Sequence, residues 1–284
     1  MSVERFSGNT NLPATALGIR DVTVILPIAG KATRAREVTR DEIPKHLILL
    51  GNGRPILDII CGHLQESGFR KFAFGVSFLK ERLIDHITAG TWITYPDTTY
   101  DISEEDEPRG TDYTILHAIG TLGLKGQAML IPGDLMVPWE SLAPMNRHHR
   151  QRGADVTLGL TSHVTDRTTD VGKMIVEAET DRLLWCYGRT EVPPEPLAGS
   201  RNLTSGAVTV VSIERYTEMC DAYAAAFPNG AADLSVRDNV LSWALRGSDF
   251  SIHGYDMSGE VLDLGTPANI YHGQANWARY DYIA

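Results

Sequence analysis

The chain has 284 residues, 43% of them hydrophobic, which is enough for one large α/β domain or two small ones with a substantial core. A net charge of -10 excludes sequence-independent nucleic-acid binding, which relies on Lys and Arg clustered along a groove. The start of the chain lacks a signal-peptide apolar stretch, no segment reaches the roughly 18 apolar residues of a membrane span, and Cys61, Cys186 and Cys220 form no CxxC pair. A cytoplasmic protein is therefore expected, with free thiols, no disulfide framework and no thiolate zinc site.

Apolar β-branched runs alternate with helical periodicity, the rhythm of a mostly parallel sheet covered by helices. Residues 1–20 read as an N-terminal extension and residues 21–284 as one domain. Strands are expected over Val22–Pro27, Lys71–Val76 and Ala128–Ile131, and helices over Ile56–Ser67, Leu79–His86, Tyr113–Thr121 and Trp139–Arg152. Asp155–Leu160, Met174–Glu177, Leu183–Trp185 and Ala207–Val211 follow more densely, which predicts a second half with some antiparallel pairing. Helices over Ile213–Ala226 and Val236–Arg246, a strand near Phe250–Tyr255 and a helix from Pro267 complete the chain. The acidic run Asp101–Glu107 and the proline cluster Pro193–Pro196 read as surface loops, and no internal repeat is present.

Residues 22–45, VTVILPIAGKATRAREVTRDEIPK, carry the most information. A buried strand runs into a small-residue turn and a loop holding Lys31, Arg34, Arg36, Arg40 and Lys45. Gly30, beside Ala29 and near Ala32, lets backbone N–H groups approach an anion closely, and Arg34 offers a fork of donors to phosphate oxygens. GxxxxGK[ST] and GxGxxG are both absent, and without the second an NAD-dependent dehydrogenase fails. Composition leaves two readings open: a phosphate loop, or a strand end whose solvated basic residues are offset by Glu37, Asp41 and Glu42. Asp134 in IPGDLMV is likewise a metal ligand or a turn or helix-cap residue, and Asp263 in LDLGTP a ligand or a turn residue before Gly265. His148 and His149 are adjacent on an expected helix and cannot both face one metal, so no histidine is given a catalytic role.

The string LPIAGKATR followed by IPK resembles the signature of the sugar-1-phosphate nucleotidyltransferases, the nucleoside-diphosphate-sugar pyrophosphorylases: (A/P)xxGxGTR, a short spacer, then PK. Further fragments resemble the family's in the same order. FGVSFLKERLIDHI is similar to NVGYLxExIxxY, PRGTDYTILHA to GTAxAxxxA, IPGDLMV to xxGDxxx, ADVTLGLT to ADxTLxxx, and VLDLGTP to WxDxGTP, so the likeness spans residues 22–272. The resemblance implies a mostly parallel, Rossmann-like central mixed sheet flanked by helices, of the GT-A-like nucleotide-diphospho-sugar transferase kind, with a denser β half for the acceptor. It also implies a Mg²⁺-dependent reaction in which an acceptor phosphate oxygen attacks the α-phosphorus of a nucleoside triphosphate, giving an NDP-sugar and pyrophosphate.

By this resemblance Arg34 would hold the β- and γ-phosphates, and Lys45 would bridge the α-phosphate and the acceptor phosphate. Pro27, Ala29, Gly30, Lys31, Ala32, Thr33 and Gly133 would line the nucleotide, with Gly110 and Thr111 near base and ribose, although capping of the helix by Thr111 also accounts for that pair. Asp134 and Asp263 would ligate Mg²⁺, which takes one or two carboxylates plus phosphate oxygens and waters. Gly172, Arg189 and Ser205 would face the acceptor. The implied partners are UTP or dTTP and a phosphorylated sugar, aminosugar or cyclitol, with no nucleic acid or membrane and a possible homo-oligomer.

The pattern also breaks. Ala32 stands at the second glycine, tolerable if its φ is negative and crowding otherwise. Ala35–Arg36–Glu37 replaces a hydrophobic-proline step, and the spacer to Lys45 is one residue longer. WCYGRTEVPPEP stands where a Glu-Lys-Pro element is expected, leaving Arg189 or Lys173 to supply positive charge, and Thr204–Ser205–Gly206 replaces Asn-Ala-Gly. The triphosphate side is thus retained and the acceptor side has diverged. The alternative is a catalytically silent nucleotide-sugar-binding subunit with a regulatory or assembly role. The changed acceptor loop and Ala32 favour it, and the retention of both carboxylates opposes it.

Overall fold

The run TVILP forms β1 (Thr23–Pro27), buried on both faces: Val24 and Leu26 point into one core and Ile25 into another. That is the signature of a central strand covered on both sides. A computed structural model describes residues 18–51, 53–164, 173–186, 198–228 and 239–279. After β1 come a short 3-10 turn (Thr33–Ala35), α1 (Arg36–Thr39) and a second 3-10 turn (Lys45–Leu47). The first half continues with α2 (Ile56–Glu66), β2 (Lys71–Val76), α3 (Lys80–Ala89), β3 (Thr99–Glu104), α4 (Thr111–Leu122), β4 (Gln127–Leu130) and β5 (Leu135–Met136). The second half holds α5 (Leu142–Arg152), β6 (Val156–Thr161), β7 (His163–Val164), β8 (Lys173–Glu177), β9 (Leu183–Cys186), β10 (Ser200–Ser212), α6 (Ile213–Ala226), α7 (Leu241–Ala244), β11 (Ile252–Asp256), β12 (Glu260–Asp263) and α8 (Pro267–Ala275).

The main sheet runs β11-β6-β10-β4-β1-β2-β3, with the β8–β9 hairpin attached to the first part of β10. β4, β1, β2 and β3 are mutually parallel, and β10 runs antiparallel to β4, β6 and β8. This is the expected mostly parallel, helix-flanked sheet with a denser β half. β10 is far longer than the expected Ala207–Val211, and its register against β6 shifts between Ser205 and Thr209, around Ala207 at φ 58°. A small separate sheet, β5-β12-β7, sits at one end.

Two crossovers fix where a ligand can enter. α2 and α3 bury Ile56, Leu57, Leu83 and Ile87 in one core, whereas α4 buries Ile115, Ala118 and Ile119 in the core on the opposite face. The chain therefore turns opposite ways from β1 and into β4, which opens a crevice between their carboxyl ends, the usual ligand position in such sheets. Phe72, Phe74, Trp92 and Tyr100 pack edge to face behind β2, with centroids 5.2–6.4 Å apart.

Some expectations change. Residues 101–104 of the acidic run belong to β3, an edge strand whose charged residues keep other chains from pairing with it, rather than to a loop. The helix expected over Val236–Arg246 is described from residue 239 and is regular α-helix only over Leu241–Ala244. The cluster Pro193–Pro196 lies outside the described residues. Of the N-terminal stretch, residues 18–20 are described: Ile19 is buried, and Gly18 O accepts from Arg150. Cys61, Cys186 and Cys220 are buried thiols, and among the described residues no helix is long and apolar enough to cross a membrane.

α5 is anchored by His149, whose Nδ1 lies 2.9 Å from Thr157 Oγ1 and whose Nε2 lies 3.4 Å from Ser212 Oγ. Burial lowers its pKa from 6.5 to about 4. Because the folded value is below the unfolded one, the unfolded chain takes up the proton first as the pH falls. The stabilisation is complete above 6.5 and is lost on descent towards 4. Between pH 7 and pH 5 this one group is expected to cost about 2 kcal/mol. Urea midpoints at the two pH values should therefore converge in His149→Gln relative to the unmodified chain; an unchanged gap would refute the assignment.

Candidate active site

The two strand exits meet through a glycine. At Gly133, just after β4, a Cβ would collide with Ile28 Cγ2 and lie 3.1 Å from the His46 ring, so only glycine lets the β4 exit approach the β1 exit this closely. The loop after β1 then rises through Gly30, beside which the space is open, to Ala32. Ala32 has φ 52° and ψ 40°, so the crowded alternative is the one realised: an alanine holds a left-handed conformation that costs roughly 1–2 kcal/mol. That turn starts the 3-10 segment carrying Arg34. Pro44, with φ -54°, launches the second 3-10 segment and aims Lys45 inward.

Four functional groups from four segments converge here. The Lys45 ammonium pairs with the Asp134 carboxylate, with only 17% and 9% of the two side chains exposed. Arg34 lies 3.6 Å from Asp263; Arg34 is exposed, whereas Asp263 is partly buried. The acids are brought together by the small sheet: Asp263 pairs in register with Leu135, and Leu264 N donates to Asp134 O at 2.9 Å. Gly265 makes the corner, since its N–H donates to Asp263 Oδ1 at 2.7 Å and a Cβ there would lie 2.7 Å from the Arg34 guanidinium. Asn269 Nδ2 holds Asp263 O at 2.7 Å from the first turn of α8, which Thr266 caps.

The charges are uneven. Burial raises the Asp263 pKa, and the neighbouring Asp134 raises it further against the pull of Arg34 and Lys45. Burial also pushes Asp134 upward, but Lys45 above all, with Arg34 behind it, reverses this and holds the carboxyl below its ordinary value. His46, buried beside both, is lowered from 6.5 to about 3 by burial and by Lys45, so it stays neutral. Two close carboxylates of which one resists ionisation form a place where a cation is favoured. Among the described residues no group of three or more His, Cys, Asp or Glu is arranged to hold a metal ion by itself. A hard cation that completes its shell with phosphate oxygens and water, such as Mg²⁺, fits this donor set better than zinc does.

A cavity of about 410 Å³ opens beside the crevice, and Pro27, Gly110, Thr111, Ile131 and Ser205 are among its walls. Gly110 has φ 106° and ψ 162°, a conformation essentially reserved for glycine, and occupies the cap position of α4. Thr111 is the first helical residue and makes no capping bond, which corrects the capping role considered for it. The first-turn N–H groups of α4 thus lack a side-chain cap beside the cavity. Gly30, Lys31 and Thr33 are exposed on the loop above β1, and Ala29 is buried beneath it. Gly172 and Arg189 lie outside the described residues. Sequence reasoning passed over His46, which no motif marks, and Gly265 and Asn269, of which only Gly265 lies within a recognisable string.

The strand order, the switch crevice and its paired acids and bases define a phosphate-handling α/β protein of the nucleotide-binding class. The family model described as Nucleotidyl transferase matches residues 22–183, over half of the chain, and the chain belongs to that family. It is 23% identical over 240 residues to a glucose-1-phosphate adenylyltransferase of Rhodopseudomonas palustris (strain HaA2), a match covering 81% of this chain and 56% of the relative, so the chain spans about half the length of that protein. Two crystal structures of HddC from Yersinia pseudotuberculosis, one complexed with GMP-PN, superpose with TM-scores of 0.63 and 0.65 at 17% identity, covering 90% of this chain and 99% of theirs. They share its fold.

Proposed function

We propose that the chain transfers a nucleoside monophosphate from a nucleoside triphosphate to a phosphorylated sugar, aminosugar or cyclitol, with release of pyrophosphate. The observation that carries this reading is the convergence of Lys45, Arg34, Asp134 and Asp263 at one crevice between β1 and β4. A P–O bond forms between the acceptor phosphate oxygen and the α-phosphorus, and the bond to the β-phosphate oxygen breaks. The attacking phosphate is already ionised at neutral pH, so the chief tasks are to align two polyanions and to neutralise them. Lys45 bridges the α-phosphate and the acceptor phosphate, Arg34 holds the departing pyrophosphate, and backbone amides from Ala29 to Ala32 line the triphosphate. Mg²⁺ held by Asp134 and Asp263 would neutralise and polarise the phosphate oxygens.

The adenylyltransferase relative acts on glucose 1-phosphate, which supports a sugar phosphate acceptor, and the HddC complex with GMP-PN supports a nucleotide in the cleft. The test is pyrophosphate release with each nucleoside triphosphate against a panel of sugar 1-phosphates. Turnover is expected with at least one pair, abolished by EDTA and restored by Mg²⁺. Intact nucleotide binding with no turnover across the panel would favour the silent-subunit reading.

A further inference from the structure

We infer that the nucleotide base read by this site is guanine, and that the carboxylate of Glu105 reads it. This rests on the proposed nucleotidyltransferase reading and adds the base to it. Glu105 follows β3 and precedes Gly110 by five residues. Its neighbours Glu104, Asp106 and Glu107 are exposed, as an acidic surface run should be. Glu105 is only 3% exposed, and among the described residues neither side-chain oxygen has a hydrogen-bond partner. A carboxylate turned inward without a donor is costly, and native proteins keep such groups where a ligand, an ion or an ordered water completes them.

Its position fits a nucleoside. Glu105 N donates to Val76 O at 2.9 Å, which places it at the exits of β2 and β3, and the next residue after Val76, Ser77, also buries an unpartnered hydroxyl. Phe78 N donates to Ala29 O at 3.2 Å, tying the same corner to the triphosphate loop. Two strand spacings, about 10 Å, separate the exits of β1 and β3. That is the reach of a nucleoside laid from the loop along the carboxyl edge of the sheet. The oxygens are shielded, so seating the base requires side chains at this turn to shift.

The chemistry then selects among bases. An ionised carboxylate only accepts hydrogen bonds. Guanine presents N1–H and the 2-amino group side by side, two donors for the two oxygens. Uracil and thymine offer one N–H flanked by carbonyl oxygens, which would face the carboxylate in repulsion, and adenine and cytosine set a ring acceptor beside their amino group. A site built to pair with given donors rejects analogues that lack them. GTP therefore replaces the UTP or dTTP expectation.

Calorimetric binding to the full chain with Mg²⁺ would compare GTP, ITP, UTP, dTTP, ATP and CTP. GTP should bind tightest, and ITP, which lacks only the 2-amino group, about tenfold to a hundredfold more weakly through loss of one charge-assisted bond. Glu105→Gln keeps the shape but presents one acceptor and one donor. It should lose the GTP preference by about tenfold or more and gain towards UTP, dTTP or ATP, with a melting temperature no lower than that of the unmodified chain. Another triphosphate binding more tightly than GTP, equal binding of ITP and GTP, or a GTP preference that survives in Glu105→Gln would each overturn the guanine assignment while leaving the site reading intact. If the variant fails to fold, the ITP comparison on the unmodified chain decides. Absence of binding by every triphosphate would overturn both.

Discussion

Asp134→Asn and Asp263→Asn are each expected to lower kcat about a thousandfold with a far-ultraviolet spectrum close to that of the unmodified chain, and Asp263→Asn to keep the melting temperature as well. In Asp263→Asn the amide oxygen can still accept from Gly265 N, so the corner that seats Arg34 survives while the negative charge is gone. In Asp134→Asn the mostly buried Lys45 ammonium loses its charged partner, which lowers stability to some extent, while the amide oxygen can still accept from it and keep it aimed at the crevice. Stopped assays of pyrophosphate release across a Mg²⁺ titration are the measurement, and the apparent Mg²⁺ requirement should rise in both variants. Full activity in both would remove these two carboxylates from the metal role, whatever the enzyme does.

Lys45→Met is expected to cost about a hundredfold to a thousandfold in kcat and also about 3 kcal/mol of stability, because Asp134 is left as a nearly buried charge with no partner. The double variant Lys45→Met/Asp134→Asn separates the two effects. Stability should return in large part, because no lone charge remains, while activity should stay lost. Urea unfolding and pyrophosphate release on the unmodified chain, the two single variants and the double variant provide the cycle. If the single variant were as stable as the double, the Lys45–Asp134 pair would not carry the energetics ascribed to it.

How far the sequence discloses this arrangement depends on how local the signals are. Lys71–Val76 and Ile213–Ala226 match the structure residue for residue, since each is a continuous apolar or periodic run with clear boundaries. β3 is hidden because TYDISE carries acids on both faces and looks like a loop, and the first part of β10 is hidden because SRNLTS has few apolar residues. At the site, Arg34 and Lys45 are legible from one short segment. The meeting of Asp134 with Asp263 is legible only through resemblance, since it depends on pairing between the two-residue β5 and the distant β12. The left-handed turn at Ala32 is hinted at only by the glycine that the family pattern carries there, because alanine itself does not announce it. Glu105 is invisible for another reason: nothing in EEDE says which of the four carboxylates turns inward.

The offset within β10 bears on how such a protein can change over time. Thr209–Ser212 are keyed to β4, alongside the exit that bears Asp134, whereas Ser200–Thr204 are keyed to β8. With the ladder broken between these stretches, each end keeps its own alignment, like two lengths of rail joined by a slip plate. Residues around the hairpin can therefore be lengthened, shortened or exchanged without sliding the opposite end by the single step that would turn its side chains to the wrong face. Novelty in one half is mechanically insulated from constancy in the other.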